Sequence, residues 1–364
     1  MFTGRRAVVQ RIVTWMRDDT AGALVVSGSP GYGKSALVGY LAALSDPTAR
    51  AELLAHAPLG PEDPDPGVGA VAASVHLRGM DEQDLAAALA EQLGLPPPMA
   101  GWQLIADIAR MKSAPTLLLD GLDEAIPEHI DKIATELLIA LGTVARVVLV
   151  TQQQDFVRYG PAKEQARVVG LPEMFGPDVP VVDLDAEEGT AQDIELYVAR
   201  RLRAGGRDDL VERVAPIVAS RAGEFGGFLY AWIMTSQILR QVIDVRAQGW
   251  QRQLATTVGG ALDRDLTSGV RLVRDGVEIP HAARDLLHGL AWSLGGGVPR
   301  VVWEAAAGAL SPDDVEYRST DLDWVLEHYG CYVVEDEHDG EVLYRLRHPE
   351  LVEHLLGSAL PVPG

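Results

Sequence analysis

The residues best able to do chemistry fall in two short stretches. The first, GSPGYGKS, spans Gly28 to Ser35 and ends a glycine-rich turn in a lysine and a serine. Gly28, Gly31 and Gly33 let the backbone bend tightly and turn successive N–H groups toward an anion. Lys34 can reach the β- and γ-phosphates of a nucleotide, and the Ser35 hydroxyl can ligate Mg²⁺. The phosphate-binding segment is read as Gly28, Pro30, Gly31, Tyr32, Gly33, Lys34, Ser35 and Ala36. The second stretch, LLLDGLDE from Leu117 to Glu124, ends an apolar run in three acids. Asp120 is placed to hold Mg²⁺, commonly through water. Asp123 and Glu124 could polarise a water against the γ-phosphate. The expected site is therefore a nucleoside triphosphate site with Mg²⁺, with Lys34, Asp123 and Glu124 catalytic and with Ser35 and Asp120 at the metal.

The flanking elements are what such a site needs. Leu24, Val25 and Val26 predict a short buried strand before the turn, and an Ala/Leu-rich helix follows it to about Ser45. The N-terminus of that helix adds its N–H groups and positive dipole end to the loop. Thr116 to Leu119 reads as a central parallel strand. Asp120 then sits at its carboxyl end, where open α/β sheets bind ligands. Val8, Val9, Ile12, Val13 and Met16 mark the apolar face of an N-terminal helix, entered through a turn at Thr3-Gly4. Val68 to Leu77, Arg146 to Thr151 and Val179 to Asp183 read as further strands. Helical patterns over Asp81–Leu93, Trp102–Lys112 and about 128–141 separate them. Strands alternating with helices predict a parallel, doubly wound sheet of α/β class.

After about Asp185 the pattern turns helical, with helices expected over Thr190–Arg203, Asp208–Ser220 and Phe228–Val245. From Pro280, three more helical patterns are followed by two short strands over Cys331–Glu335 and Glu341–Leu346. Asp339-Gly340 gives the hairpin signal between them. Pro349 to Gly357 closes the chain as a helix. Three helices with a hairpin describe a winged helix. The expected division is a P-loop NTPase domain over 1–185, a helical domain over 186–260 and a winged-helix domain over 261–364. Trp232, Trp250, Trp292, Trp303 and Trp324 lie in helical patterns and read as packing residues rather than a base-stacking platform.

The chain has 364 residues, 47% hydrophobic and 23% charged, a globular composition with room for two or three domains. The formal net charge of −21 disfavours a nucleic-acid face, and the presumed wing, EDEHDGE, is itself acidic. The single cysteine, Cys331, excludes an intrachain disulfide framework and suits a reducing compartment. The N-terminus has no signal-peptide h-region, and no apolar run reaches the roughly 20 residues of a membrane span. The expectation is a soluble, cytoplasmic protein without membrane contact. The histidines show no metal-ligand spacing, and Ser27 and Ser29 do not sit in a G-x-S-x-G elbow.

Taken together, FTGRR, GSPGYGKS, LLLDGLDEA, QDIELYVARRL, GEFGGFLYAWIM and YRLRHPELVEHLL resemble the STAND group of P-loop NTPases. The likeness is to NACHT or NB-ARC members related to the AAA+ class, and closest to actinobacterial ones. It covers nearly the whole chain, and the two phosphate-site motifs are its most specific parts. The resemblance implies a switch, closed with ADP and open with ATP, whose open form homo-oligomerises and signals through effector or sensor domains. It implies slow ATP hydrolysis. It places Phe2 to Arg5 against the adenine and His348, in LRHPEL, on the nucleotide phosphates in the closed state. The residues themselves say only that His348 lies where a packed or capping histidine would. Two departures stand out. Gln152, Gln153 and Gln154 occupy the position where an arginine often senses the γ-phosphate, and Gly226-Gly227-Phe228 stands where a proline motif often faces the nucleotide. The alternatives are an AAA+ DNA-directed regulator and a nucleotide-binding scaffold without turnover.

Overall fold

The computed structural model describes residues 4–18, 20–152, 155–159, 166–170, 175, 179–293, 297–338 and 341–357. Phe2, Gln153, Gln154 and the Asp339-Gly340 turn lie outside them. Two compact units divide the chain, Met1–Asp193 and Ile194–Gly364.

The first unit is built on β1 (Gly22–Ser27), β2 (Ala73–His76), β3 (Thr116–Asp120), β4 (Arg146–Thr151) and β7 (Val181–Asp183). They form a five-stranded sheet in the order β2-β3-β4-β1-β7, and every pairing is parallel. Strand side chains point alternately to opposite faces, and each face has its own core. Val25, Leu117, Leu119, Val147 and Leu149 face one apolar cluster. Leu24, Val26, Leu118, Val148 and Val150 face the other. This is why the strands read as continuous apolar runs: both faces are covered. Each such side chain stabilises the fold by about 1.5–3 kcal/mol through burial.

Helix α1 (Arg6–Met16) buries Val8, Val9, Ile12, Val13 and Met16, the stripe its spacing predicts. Helix α2 (Lys34–Ser45) packs Leu37, Val38 and Leu41 on the same face of the sheet. Helix α3 (Pro47–His56) starts on Asp46, whose carboxylate accepts from the N–H groups of Thr48 and Ala49. On the other face, α4 (Glu82–Gln92) opens with a capping box between Asp81 and Asp84. It buries Leu85, Ala86, Leu89 and Ala90. The helical run expected to start near Glu128 is less regular: a 3₁₀ turn at Pro127–His129 leads into helical segments Ile130–Lys132 and Ile139–Leu141, with a π-helical stretch, Ile133–Leu138, between them.

Several sequence boundaries move. The expected strand from Val68 shrinks to Ala73–His76, because Gly67 and Gly69 take positive φ and turn the chain, leaving Val68 exposed. Beyond β4, β5 (Asp155–Tyr159) and β6 (Ala166–Gly170) form an antiparallel hairpin that the sequence reading lacked.

In the second unit, one apolar cluster runs from Ile194 to Leu355, across the expected boundary at 260. Its early part is helical: Val211–Phe225, Gly227–Leu239 and Val258–Ser268. Pro216 lies within the first of these without ending it. The third expected helix stops at Leu239 rather than Val245, just before Gln241 takes a left-handed conformation. A second unexpected hairpin joins β8 (Leu272–Arg274) to β9 (Val277–Ile279) through Asp275 and Gly276, both at positive φ. Helices Ala282–Ala291, Arg300–Ala309 and Ser319–Tyr329 follow. Then come β10 (Val333–His338), its antiparallel partner β11 (Glu341–Leu346) and helix Pro349–Gly357. Trp250 and Trp303 are buried as expected of core residues, but Trp292 is 52% exposed. Helix Ala282–Ala291 ends just before Trp292, and the side chain lies on the surface.

Candidate nucleotide site

Parallel register sets the site out along the carboxyl edge of the sheet. His76 is level with Asp120, Asp120 with Val150, Val150 with Val26 and Val26 with Val182. One residue further, Ser27 is level with both Thr151 and Asp183. The end of β1 therefore delivers the glycine loop to the same edge as the acid at the end of β3. The loop turns through Gly31 and Gly33, both left-handed, and Gly33 is the N-cap of α2 with no side-chain cap hydrogen bond. Gly28 cannot carry a side chain: a Cβ there would lie 2.9 Å from Leu184 Cβ.

Lys34 is buried, and its ammonium lies across the loop, donating to Gly28 O at 2.5 Å and Ser29 O at 2.9 Å. Burial pushes its pKa down, opposed by the charges of Asp123, Asp120, Asp185 and Glu124. Ser35 and Ala36 are exposed in the first turn of α2, and Pro30 is exposed in the loop. Gly121, left-handed at φ 77°, turns the chain from β3 into the short 3₁₀ helix Leu122–Glu124. The three acids of the motif then part company. Asp120 stays at the strand end. Asp123 Oδ1 accepts from Thr151 Oγ1 at 2.9 Å and from the Gln152 N–H at 2.8 Å, so it ties this turn to the end of β4. Glu124 turns toward β2.

There it meets two groups the sequence reading passed over. Arg78 Nε donates to Glu124 Oε2 at 2.6 Å, and His76 lies 3.4 Å from both Asp120 Oδ2 and Glu124 Oε2 through its two ring nitrogens. Burial alone would raise the Glu124 pKa, but His76 and Arg78 hold it down at about 2. Burial alone would lower that of His76, but Asp120 and Glu124 carry it to about 9. The available signal was HLR after Val75: a basic pair, His76 and Arg78, at the carboxyl end of the strand that neighbours β3.

Arg5 sits at φ 58° and is 4% exposed. Its guanidinium donates to Tyr32 O at 3.2 Å, Leu184 O at 3.1 Å and Thr190 Oγ1 at 3.0 Å. Its N–H donates to Asp193 Oδ2 at 2.7 Å. These bonds make Arg5 a brace of the loop. His348, in the second unit, accepts the Glu350 N–H on Nδ1 at 3.2 Å. It stands just before helix Pro349–Gly357 and so caps it, with Pro349 as the first helical residue.

The residues fit a magnesium nucleotide. Left-handed glycines and an uncapped helix start present N–H groups, a buried lysine crosses the loop, and acids surround it. Among the described residues no group of three or more His, Cys, Asp or Glu could hold a metal by itself. That suits Mg²⁺, which takes one or two protein ligands plus substrate phosphates; here those would be Ser35 and Asp120.

A parallel sheet with a glycine-rich loop after its first strand and an acid ending the strand two places away is the arrangement that a P-loop phosphate site needs. Solved structures to which the chain bears a distant likeness include three from archaeal proteins. The STAND protein with a tetratricopeptide repeat sensor from Pyrococcus horikoshii is 12% identical over 97% of this chain and 42% of that chain, at a TM-score of 0.45. Cdc6p from Pyrobaculum aerophilum is 12% identical over 99% and 97%, at 0.42. The Aeropyrum pernix ORC1 protein in complex with DNA is 14% identical over 98% and 93%, at 0.37. The chain thus spans well under half the length of the STAND protein. No sequence-family profile and no curated protein sequence matches the chain.

Proposed function

We propose that this chain is a nucleotide-operated signalling switch that binds ATP or ADP with Mg²⁺ and hydrolyses ATP slowly. The observation that carries the reading is the carboxyl edge of the sheet, where the Lys34 loop and Asp120 are set level by register while Glu124 is held by Arg78 and His76. Bound Mg²⁺ would neutralise the phosphate charge. Lys34 and the loop N–H groups bind and orient the phosphates, and Glu124 is the group able to take a proton from water. An ionised Glu124 shared between two cations is a weak base, which fits slow turnover better than a fast enzyme. In this reading ADP favours a closed state and ATP an open, homo-oligomerising one that acts on effector or sensor domains. The helices that follow the sheet form the helical domain, and helices Ala282–Ala291, Arg300–Ala309 and Ser319–Tyr329 with β10 and β11 form the winged helix, closed by helix Pro349–Gly357. His348 is the residue through which the winged helix would sense phosphate.

Mass spectrometry of nucleotide released from denatured, purified protein tests this directly, with ADP the expected finding. Lys34→Ala protein should lose nucleotide affinity; unchanged affinity would sink the reading. A DNA-directed ATPase is the competing class. Glu335 and Asp336 on β10 and Glu341 on β11 disfavour it, because they would repel a phosphate backbone. Salt-dependent duplex binding by the full chain would reverse that order. Multiple phosphate releases per protein molecule would exclude a scaffold without turnover.

A further inference from the structure

Asp185 is an acid beside the loop that neither phosphate-site motif contains. It follows β7, where Leu184 N–H donates to Ser27 O, so it stands beside the start of the glycine loop. Its carboxylate accepts the Ser29 N–H at 2.9 Å and the Ser29 hydroxyl at 2.8 Å. A loop residue that could offer two donors to a phosphate thus offers both to a side chain of the same protein. The charge of Asp185 is felt by Lys34, Tyr32 and Arg5.

The same segment holds the other end of the loop. Arg5 joins Tyr32 O to Leu184 O and to Thr190 Oγ1, the first residue of helix Thr190–Ala204. Asp193 in that helix's first turn takes the Arg5 N–H. The loop is therefore clasped at Ser29 by Asp185 and at Tyr32 by Arg5, and both clasps lead to residues 184–193. These are the last residues of the first unit.

We propose that Asp185 is a specificity-determining residue of the nucleotide site, which disfavours a triphosphate relative to a diphosphate by setting a fixed negative charge on the Ser29 donors. The proposal rests on the nucleotide reading above. A triphosphate brings more negative charge to the loop than a diphosphate, and it brings it among Asp120, Asp123, Glu124 and Asp185. Mg²⁺ offsets part of that charge at Asp120. Asp185 has no such partner role and is repelled. Weakening its hold on Ser29 loosens the segment that starts helix Thr190–Ala204, so the phosphate count is passed to the chain beyond the sheet.

The test measures dissociation constants of the full-length protein for Mg·ADP and for a Mg²⁺ complex of a non-hydrolysable ATP analogue, by displacement of a fluorescent nucleotide. Asp185→Asn keeps an acceptor for the Ser29 N–H and removes the charge. It should shift the triphosphate-to-diphosphate preference toward triphosphate by roughly three- to tenfold, a modest factor because both groups are exposed and screened. Ser29→Ala removes one of the two donors and should shift it the same way by less. Amide exchange over 184–193 should rise with the triphosphate in wild type and already be raised in Asp185→Asn. An unchanged preference in folded Asp185→Asn overturns the proposal, and Ser29→Ala decides the matter if Asp185→Asn does not fold. Lys34→Ala separates the two levels. If it binds as wild type does, the nucleotide reading falls and this proposal with it; if it loses binding while the preference is unmoved in the other variants, only the proposal falls.

Discussion

At the scale of single residues, the function turns on how Glu124 is held. Glu124→Gln keeps the shape and removes the base, so phosphate release should drop by about 100-fold or more while Mg·ATP affinity stays within a few-fold. Equal losses in binding and turnover would remove Glu124 from the catalytic role. His76 adds a pH dependence whose sign is fixed. Its pKa in the folded protein, about 9, lies above its ordinary value of 6.5. Below pH 6.5 both folded and unfolded states carry the proton, and the ion pairs with Asp120 and Glu124 give their full stabilisation. Between 6.5 and 9 only the folded state keeps the proton, so stability falls as pH rises. Melting temperature, measured in EDTA, should therefore decline across that window in wild type and decline less in His76→Gln. Glu124 works in the opposite sense, since its folded pKa of about 2 lies below the ordinary 4.5 and its stabilisation is lost only as pH falls through that range. The Lys34 loop and the Asp120 strand end were legible in the sequence because each is a local pattern. Arg78 and His76 were not legible as site residues, and Arg5, placed by resemblance at the adenine, was not legible as a brace of the loop, because these roles come from strands and turns brought together across about 50 to 190 residues of chain.

At the scale of elements, the sheet was legible because buried parallel strands are apolar throughout, and α1 because its stripe repeats at helical spacing. The two missed hairpins show where such signals fail. β8 and β9 are three residues each, too short for alternation to show, and only Asp275-Gly276 marks the turn. Glycines within helices separate packing from propensity in the same way. Gly289 lies where helix Ala282–Ala291 meets helix Arg300–Ala309, and a Cβ there would stand 2.9 Å from Ala307 N and 3.0 Å from Ala307 Cα. The obstacle is backbone, so Gly289→Ala should cost about 1–3 kcal/mol by overpacking. Gly39 in α2 has nothing within 4 Å of an added Cβ. Gly39→Ala should therefore stabilise α2 by about 0.5–1 kcal/mol through lower chain entropy. Denaturant melts of the two variants should move in opposite directions. A stable Gly289→Ala protein would mean that the two helices can separate there without loss.

At the scale of the molecule, the buried apolar residues among those described fall into clusters that follow the two units. Those around the sheet draw on residues from Val8 to Leu184, and the third runs from Ile194 to Leu355. Each unit thus has a core of its own, and each is long enough to bury one. Such units unfold as separate cooperative steps whenever their individual stabilities differ. The phosphate loop, Asp120 and Glu124 all belong to the first unit, so the contacts they make with a nucleotide stabilise that step directly. At a ligand concentration 100 times the dissociation constant the added stability is about 2.7 kcal/mol. Calorimetry of the full chain should show two transitions, of which Mg·ADP raises the first unit's more than the second's, the smaller rise being the contribution of His348. Lys34→Ala should abolish the shift without merging the transitions. A single transition that moves as a whole with Mg·ADP would show that the units unfold as one body. In that case the switch would have to work through a shared core rather than through the segment at 184–193.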